Sequence, residues 1–310
     1  MNHNEVNMSV NPNTYQYFQH NADQWDTLRS GYFSEEVAEA AIRKAYLLPD
    51  MVVADVGAGT GFMAGKIAPL VQKVILLDAS PAMLEVARKN LADFSNTEFH
   101  VVDGKSFSLL DQGVDAVFAN MYLHHSLEPL SAIREMVRIL KPGGRLIITD
   151  ADAHNHAWMR TEMADVWLGF ERSQIRAWFK NADLVNILVD CTGQDCCAQS
   201  NSATSAEDKT AKVSIFVATG TKRIRMHEKV EAIYTQAVES KSCCGNTTQT
   251  IPSAESQRCC CSGEVVPRGD VFGARLYSHH ELITIPQEAG EISFGCGNPV
   301  AIANLKPGEI

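Results

Sequence analysis

The sequence has no long apolar run and no excess of positive charge, and each absence removes a class of function. No stretch approaches the roughly 20 apolar residues that cross a bilayer, so membrane insertion is not expected. The polar start, Met1-Asn2-His3-Asn4-Glu5, lacks the basic-then-apolar shape of a secretory signal, and a cytoplasmic protein is expected. Lys and Arg number 27 against 37 Asp and Glu, a net charge of −10. A nucleic-acid partner would need a basic surface, so none is expected. The nine cysteines form no Cys-x-x-Cys ladder, which argues against a thiolate-held zinc site. In a reducing compartment they are not a disulfide framework either. The chain of 310 residues is longer than one average domain, and 45% hydrophobic residues suffice for a sizeable core.

Residues 52–61 read Val-Val-Ala-Asp-Val-Gly-Ala-Gly-Thr-Gly. A short β-branched run ending in a glycine-rich turn predicts a strand followed by a helix over 62–70. Glycines at 57, 59 and 61 let the backbone pass close to a ligand that a Cβ would block. Asp78 ends a second apolar run, Val74-Ile75-Leu76-Leu77, at 78 − 57 = 21 residues past the first glycine. At that spacing an acid on the neighbouring strand reaches a ribose hydroxyl. Asp78 as a helix N-cap is the alternative, but Ser80-Pro81 is better suited to open the next helix.

These segments resemble the class I S-adenosylmethionine-dependent methyltransferases. Asp55 to Gly61 is similar to their first motif, and Leu77-Asp78 to their ribose-binding acid. Val101-Val102-Asp103-Gly104 is similar to their adenine-edge motif, and Leu140-Lys141-Pro142-Gly143-Gly144 to the turn before their fifth strand. The resemblance covers roughly residues 15–222. It implies S-adenosylmethionine as cofactor, with Asp55, Gly57, Gly59, Asp78, Met83, Asp103 and Asn120 around it. A nicotinamide enzyme is the distant alternative.

Strand patterns at 52–55, 74–78, 98–102, 115–120 and 145–149 alternate with helical patterns at 81–91 and 129–140. Two more strands are expected at 185–191 and 212–220. This is the rhythm of an α/β, doubly wound, mostly parallel seven-stranded sheet, a Rossmann-like fold. One helix is expected over about 156–180. Thr192 to Ala211 reads as a polar loop. An aromatic helix over 15–28, with Tyr17, Phe18 and Trp25, either packs plainly or, as the resemblance implies, lies over the cofactor. Beyond a domain of residues 1–222 come a connector helix and cysteine-rich loop, 223–262, and a tail, 263–310.

Methyl transfer from a sulfonium asks the protein mainly to align the partners and exclude water. A strong cofactor motif with a weak catalytic signature is therefore consistent. Asn120-Met121-Tyr122-Leu123-His124-His125 follows the fourth strand and should face the crevice. Asn120, Tyr122 and His124 are the catalytic candidates, with His125 beside them; adjacent histidines also cap helices or face solvent. Cys191, Cys196 and Cys197, near the end of a strand expected to run parallel, could hold a thiophilic centre such as trivalent arsenic. A buried Cys191 and two incidental surface thiols are the plainer reading.

The tail resembles the N-terminal region of arsenite methyltransferases, on Cys243-Cys244-Gly245, Cys259-Cys260-Cys261 and Gly295-Cys296-Gly297-Asn298-Pro299. Cys296 joins the metalloid-binding candidates on that basis. Aligning Pro307 with Pro49 places Ile310 beside Val52, so an incomplete second unit is expected, which a second polypeptide would complete. One departure stands out: where that family has a metalloid-binding cysteine after the fourth-strand asparagine, this chain has Met121. The expected function is methyl transfer to a small acceptor, with thiol-bound trivalent arsenic favoured. The alternatives are a carbon or oxygen methyltransferase acting on a quinone or other small metabolite, and a non-catalytic metalloid-binding protein.

Overall fold

The computed structural model describes residues 11–104, 106–107, 109–200, 202 and 209–224, which belong to one compact unit, Met1–Ile224. Residues 225–310 lie outside the described residues. The expectations for the connector helix, the tail, Cys243, Cys244, Cys259, Cys260, Cys261 and Cys296 lie there with them.

The chain opens with α1 (Pro12–Asn21), α2 (Trp25–Tyr32) and α3 (Glu36–Ala45). Then follow β1 (Val52–Val56), α4 (Phe62–Ile67), β2 (Lys73–Asp78), α5 (Pro81–Asn90), β3 (Thr97–Val101) and β4 (Val114–Asn120). The second half runs α6 (Pro129–Ile139), β5 (Leu140–Ala151), α7 (Met159–Glu162), α8 (Arg172–Asn181), β6 (Leu184–Gln199) and β7 (Thr210–Lys222). The seven strands form one sheet, ordered β3-β2-β1-β4-β5-β7-β6. All neighbours from β3 to β5 pair parallel, and β7 runs antiparallel to both β5 and β6. The sheet is doubly wound and mostly parallel, as the strand rhythm predicted.

Side chains alternate across the sheet with period two, and over the central strands both faces are dry. Ala54, Val56, Val117, Ala119, Ile148 and Phe216 build one core with α6 and α8. Val53, Val74, Leu76, Ala116, Phe118 and Val217 build the other with α3, α4 and α5. On α6 the buried Ala132, Ile133, Met136 and Val137 form the one-sided stripe that a helix on a sheet requires. Ser80 caps α5 by accepting from the Met83 amide at 3.2 Å, with Pro81 in its first turn. Capping therefore falls to Ser80 and leaves Asp78 to another task.

Three segments differ from expectation. The aromatic helix is broken by a 3-10 turn, Ala22–Gln24, so α1 and α2 meet at an angle. The single helix expected over 156–180 is only α7 and α8. Ala164 and Gly169 adopt left-handed φ of 58° and 68° between them. At Gly169 a Cβ would stand 2.2 Å from the Asp152 carbonyl oxygen, and the adjoining Phe170 bridges to Asp152. Helix is impossible where the backbone presses so closely on another strand's end. Finally, the polar loop expected from Thr192 is mostly strand. β6 continues to Gln199 past a register shift between Cys191 and Asp195, and pairs with β7 down to Gln199↔Thr210. Buried Cys196 and Ala198 alternate with exposed Cys197 and Gln199, the pattern of an edge strand with one wet face.

Candidate active site

β1 has β2 on one side and β4 on the other, so the chain reverses its winding direction there. A crevice opens beyond the carboxyl ends of strands at such a point. The glycine loop after β1 is pinned to β2: the Gly57 and Ala58 amides both donate to the Leu77 carbonyl, at 2.8 and 3.2 Å. Gly57 has φ +68°, and a Cβ there would lie 2.4 Å from Cδ2 of Tyr122. The Tyr122 ring thus packs directly under the loop. Burial raises its phenol above the ordinary range, and Asp78 adds to the shift, so it stays protonated.

A cavity of about 1040 Å³, counting its open mouth, fills the crevice. Asp55, Gly57, Gly59, Asp78, Met83, Asn120 and Tyr122 all line it. The Asp78 carboxylate accepts from the Gly59 amide and the Ser80 amide, each at 2.8 Å. The Ala79 amide adds a third contact, so of about four lone-pair sites at least one is left for a ligand hydroxyl. Asp55, 1% exposed, accepts from the Ala64 amide at 3.1 Å. Burial and, in smaller part, the nearby Asp78 push its carboxyl up to about 7. Burial also raises Asp78. Two neighbouring carboxylates, Asp55 buried and Asp78 half-buried, favour a cationic, hydroxyl-bearing ligand. Asn120 Oδ1 accepts from the Thr149 hydroxyl at 2.7 Å. Asp103 is exposed and accepts from the Ser106 amide, while its neighbours Val102 and Gly104 line the cavity.

The bent α1–α2 segment roofs this cavity. Phe18, Trp25 and Arg29 line it. Gln19 accepts from the Ser80 hydroxyl at 2.9 Å, and Asp26 accepts from the Thr60 hydroxyl at 2.6 Å. Arg29 is buried and its guanidinium sits 3.9 Å over the Phe62 ring. Its Nε and Nη1 have no protein partner. Buried donors left unpaired cost about 1–3 kcal/mol each, so an anionic ligand group suits them.

A second cavity, about 570 Å³, adjoins the first, and both are lined by Trp25, Phe33, Met121 and His125. Its walls are mostly apolar, with Tyr17, Tyr32, Met159 and Met163 among them. One end is polar. His124, 7% exposed, places Nδ1 2.8 Å from Asp150 Oδ1. Asp150 also accepts from the amides of Leu123, His124 and Ala151. Burial opposes charge on His124, but Asp150 by charge and hydrogen bond, and Asp165 by charge, outweigh it and push the imidazole up to about 9. His124 is therefore a cation at neutral pH and a poor proton acceptor. His125 is held neutral, first by burial and then by the neighbouring His124. Asp165 is pushed up to about 6 by burial, against the pull of His124.

Of the predicted residues, the structure brings Asp55, Gly57, Gly59, Asp78, Met83, Asn120 and Tyr122 to one cavity and His124 to its neighbour. It does not assemble the thiols. Cys191, Cys196 and Cys197 all lie in β6 rather than a loop. Cys191 pairs with Phe216, whose side chain belongs to the α6–α8 face. Cys196 pairs with Val213 and packs with Phe33, Val37 and Ile215 on the opposite face. Cys197 is exposed. Among the described residues no three cysteines share a coordination site. Only Cys196 lines the second cavity, and burial pushes its thiol up to about 12, away from the thiolate that binds metalloids. Sequence reasoning missed Asp150, Asp165 and Arg29. Asp150 carried the same signal as Asp55 and Asp78, an acid at the end of an apolar strand. Asp165 and Arg29 carried no local signal.

Comparison with known proteins bears on residues 54–148, which match a family described as a methyltransferase domain. A demethylmenaquinone methyltransferase of Clavibacter sepedonicus is 36% identical over 98 residues, 32% of this chain and 40% of that one. A malonyl-[acyl-carrier protein] O-methyltransferase of a Marinomonas species is 28% identical over 144 residues, 46% of this chain and 52% of that one. The chain thus spans about half or less of the length of these curated relatives. Among solved structures, the complex of a Haloferax volcanii methyltransferase with its activator Trm112 has a TM-score of 0.57 at 18% identity. That match covers 68% of this chain and 98% of the solved one, and it establishes a shared fold. Residues 54–148, on the doubly wound sheet and around the crevice just described, are thus similar to the methyltransferase domain.

Proposed function

We propose that this chain transfers a methyl group from S-adenosylmethionine to carbon or oxygen of a small, apolar, aromatic acceptor of the hydroquinone type. The observation that carries the reading is the pair of adjoining cavities, one lined by carboxylates and glycines, the other by aromatic and methionine side chains.

S-adenosylmethionine supplies a methyl group already activated by its positively charged sulfur. The chain's residues then have the tasks of binding, orientation and exclusion of water. Asp78 accepts from a ribose hydroxyl while bracing the Gly59 amide. Met83 packs on the adenine, with Asp103 at its edge. Asp55 faces the amino group, and Arg29, with two unpaired buried nitrogens, donates to the carboxylate. Gly57 and Gly59 give the backbone close approach, and Asn120 and Tyr122 form the floor toward the acceptor side. Trp25, Phe33 and Met121 line both cavities and shield the reacting atoms from water.

The acceptor class follows from the second cavity's mostly apolar walls and its polar end at His124 and Asp165. A hydroquinone has that outline, a flat apolar body with a hydroxyl. The Clavibacter relative, whose name gives a demethylmenaquinone acceptor, supports the same choice. Thiol-bound arsenic has less support, because the cavity offers one protonated cysteine. The test is release of S-adenosylhomocysteine by the full chain, with a panel of hydroquinones, a malonyl thioester and arsenite with glutathione. Release with hydroquinones alone is expected. Release with arsenite alone would restore the metalloid reading, and release with the thioester alone would move the chain to the class of its Marinomonas relative.

A further inference from the structure

The polar end of the second cavity converges more tightly than receiving one acceptor hydroxyl requires. His124, His125 and Asp165 come from two separate segments, and one ligand atom of each lies within 4.8 Å of the others. Asp165 Oδ1 stands 3.9 Å from His124 Nε2 and 4.0 Å from His125 Nδ1, and His125 Nδ1 also lies 3.3 Å from the Ala164 carbonyl oxygen, a contact it exchanges for the ion on binding. Both separations from Asp165 are too long for hydrogen bonds. Two ligands of one tetrahedral ion, each bound at about 2.0–2.2 Å, stand roughly 3.3–3.6 Å apart, so closure by a few tenths of an ångström brings these atoms around one ion. Asp165 is 9% exposed, and its Oδ1 is buried with no hydrogen-bond partner. An unpaired carboxylate oxygen beside two imidazoles therefore points at the place an ion would take.

The surroundings agree. Asp150 holds Nδ1 of His124 at 2.8 Å and is itself fixed by three backbone amides. That leaves Nε2 as the ligating atom, turned toward Asp165. A carboxylate behind a ligating imidazole is the usual support of a metal-bound histidine, fixing its tautomer and raising its basicity. Charge also balances once His124 gives up its Nε2 proton to the ion: Asp150 and Asp165 bring −2 into the site, and with both imidazoles then neutral a divalent cation cancels it.

We propose that His124, His125 and Asp165 form a binding site for a divalent transition-metal ion of the zinc class, oriented by Asp150. Two imidazoles and one carboxylate are borderline ligands that suit zinc over calcium or magnesium. Three protein ligands leave a coordination position open toward the cavity, the arrangement of a site that takes a substrate oxygen rather than a purely structural one. The site shares His124 and Asp165 with the acceptor-binding end proposed above, but its test is metal retention and not turnover, so the two readings fail separately.

The test uses the full chain, stripped with a chelator, dialysed against zinc and assayed for bound metal. Thiolates are themselves zinc ligands and the chain has nine cysteines, so the difference between variants is what counts. Asp165→Ala and His125→Gln should each retain one equivalent fewer than the parent, and Cys196→Ser should retain as much as the parent. Cobalt(II) substituted for zinc should lose visible intensity in the first two variants without loss of thiolate-to-metal charge-transfer absorption. Far-ultraviolet circular dichroism of each variant confirms folding, and either of the first two suffices if the other fails to fold. Equal metal content in the parent and both site variants overturns the proposal. So does loss of the equivalent in Cys196→Ser alone, because the ion would then be held by the thiol.

Discussion

Replacing Asp55 by Asn should move stability and cofactor affinity in opposite directions. The Asp55 carboxyl is 1% exposed and has risen from an ordinary 3.8 to about 7, chiefly through burial. Below about pH 4 both the folded and unfolded chain hold that proton, and Asp55 imposes no penalty. As pH rises the unfolded chain releases the proton first, so the folded state loses ground until about pH 7, beyond which the deficit is constant. The gap between 3.8 and about 7, at about 1.4 kcal/mol per tenfold in proton affinity, sets that deficit near 4 kcal/mol. Near pH 5 the same arithmetic gives about 2 kcal/mol. Asn does not titrate, and its carbonyl oxygen can still accept from the Ala64 amide. The variant should therefore gain about 4 kcal/mol over the parent near pH 8 and about half of that near pH 5. All four tryptophans, Trp25, Trp158, Trp167 and Trp178, lie within residues 11–224, so urea melts of the full chain followed by tryptophan fluorescence report on this unit. In the same variant, S-adenosylmethionine should bind roughly 10- to 100-fold more weakly, the scale for a lost charge-assisted hydrogen bond. Parallel pH profiles for variant and parent would refute the burial argument, and unchanged affinity would remove Asp55 from the site.

Three other perturbations probe the same frame. Asp78→Ala should weaken S-adenosylmethionine by about 1–3 kcal/mol in calorimetric titration, with Asp78→Asn milder because one acceptor remains for the Gly59 amide. Gly57→Ala should cost at least about 1 kcal/mol in a urea melt from its left-handed φ alone, and more from the Cβ clash with Tyr122. Undiminished stability there would mean the loop and ring separate readily. A fragment of residues 1–222 should fold cooperatively and bind S-adenosylmethionine, because it contains every strand of the described sheet; insolubility or a broad melt would contradict that boundary.

What the sequence disclosed depended on how local its physics was. The strands of the parallel half are short apolar runs with punctuation at each end, and Asp55 and Asp78 stand at ends of such runs, so spacing marked Asp78 as a candidate and the motif resemblance marked Asp55. Ser80-Pro81 declared the start of α5 in the same way. The break between α7 and α8 was hidden, because it arises from Gly169 pressing on the end of β5, a contact between distant segments. Cys196 and Cys197 misled for a related reason. A polar stretch reads as loop in isolation, but β7 offered it a strand to pair with, and pairing sends consecutive cysteines to opposite faces. Asp165 and Arg29 acquire meaning only through what surrounds them in three dimensions: two imidazoles for one, an aromatic ring and an open cavity for the other.

The central claim is that the methyl group of S-adenosylmethionine reaches a small aromatic acceptor in the cavity beside the cofactor. Incubating the full chain with S-adenosylmethionine deuterated in its methyl group and a series of hydroquinones, then analysing the products by mass spectrometry, tests it directly. The account predicts one intact deuterated methyl on carbon or oxygen of a hydroquinone, and none when Asp78→Ala is assayed below its weakened affinity. Binding of S-adenosylmethionine without label transfer to any hydroquinone would contradict it.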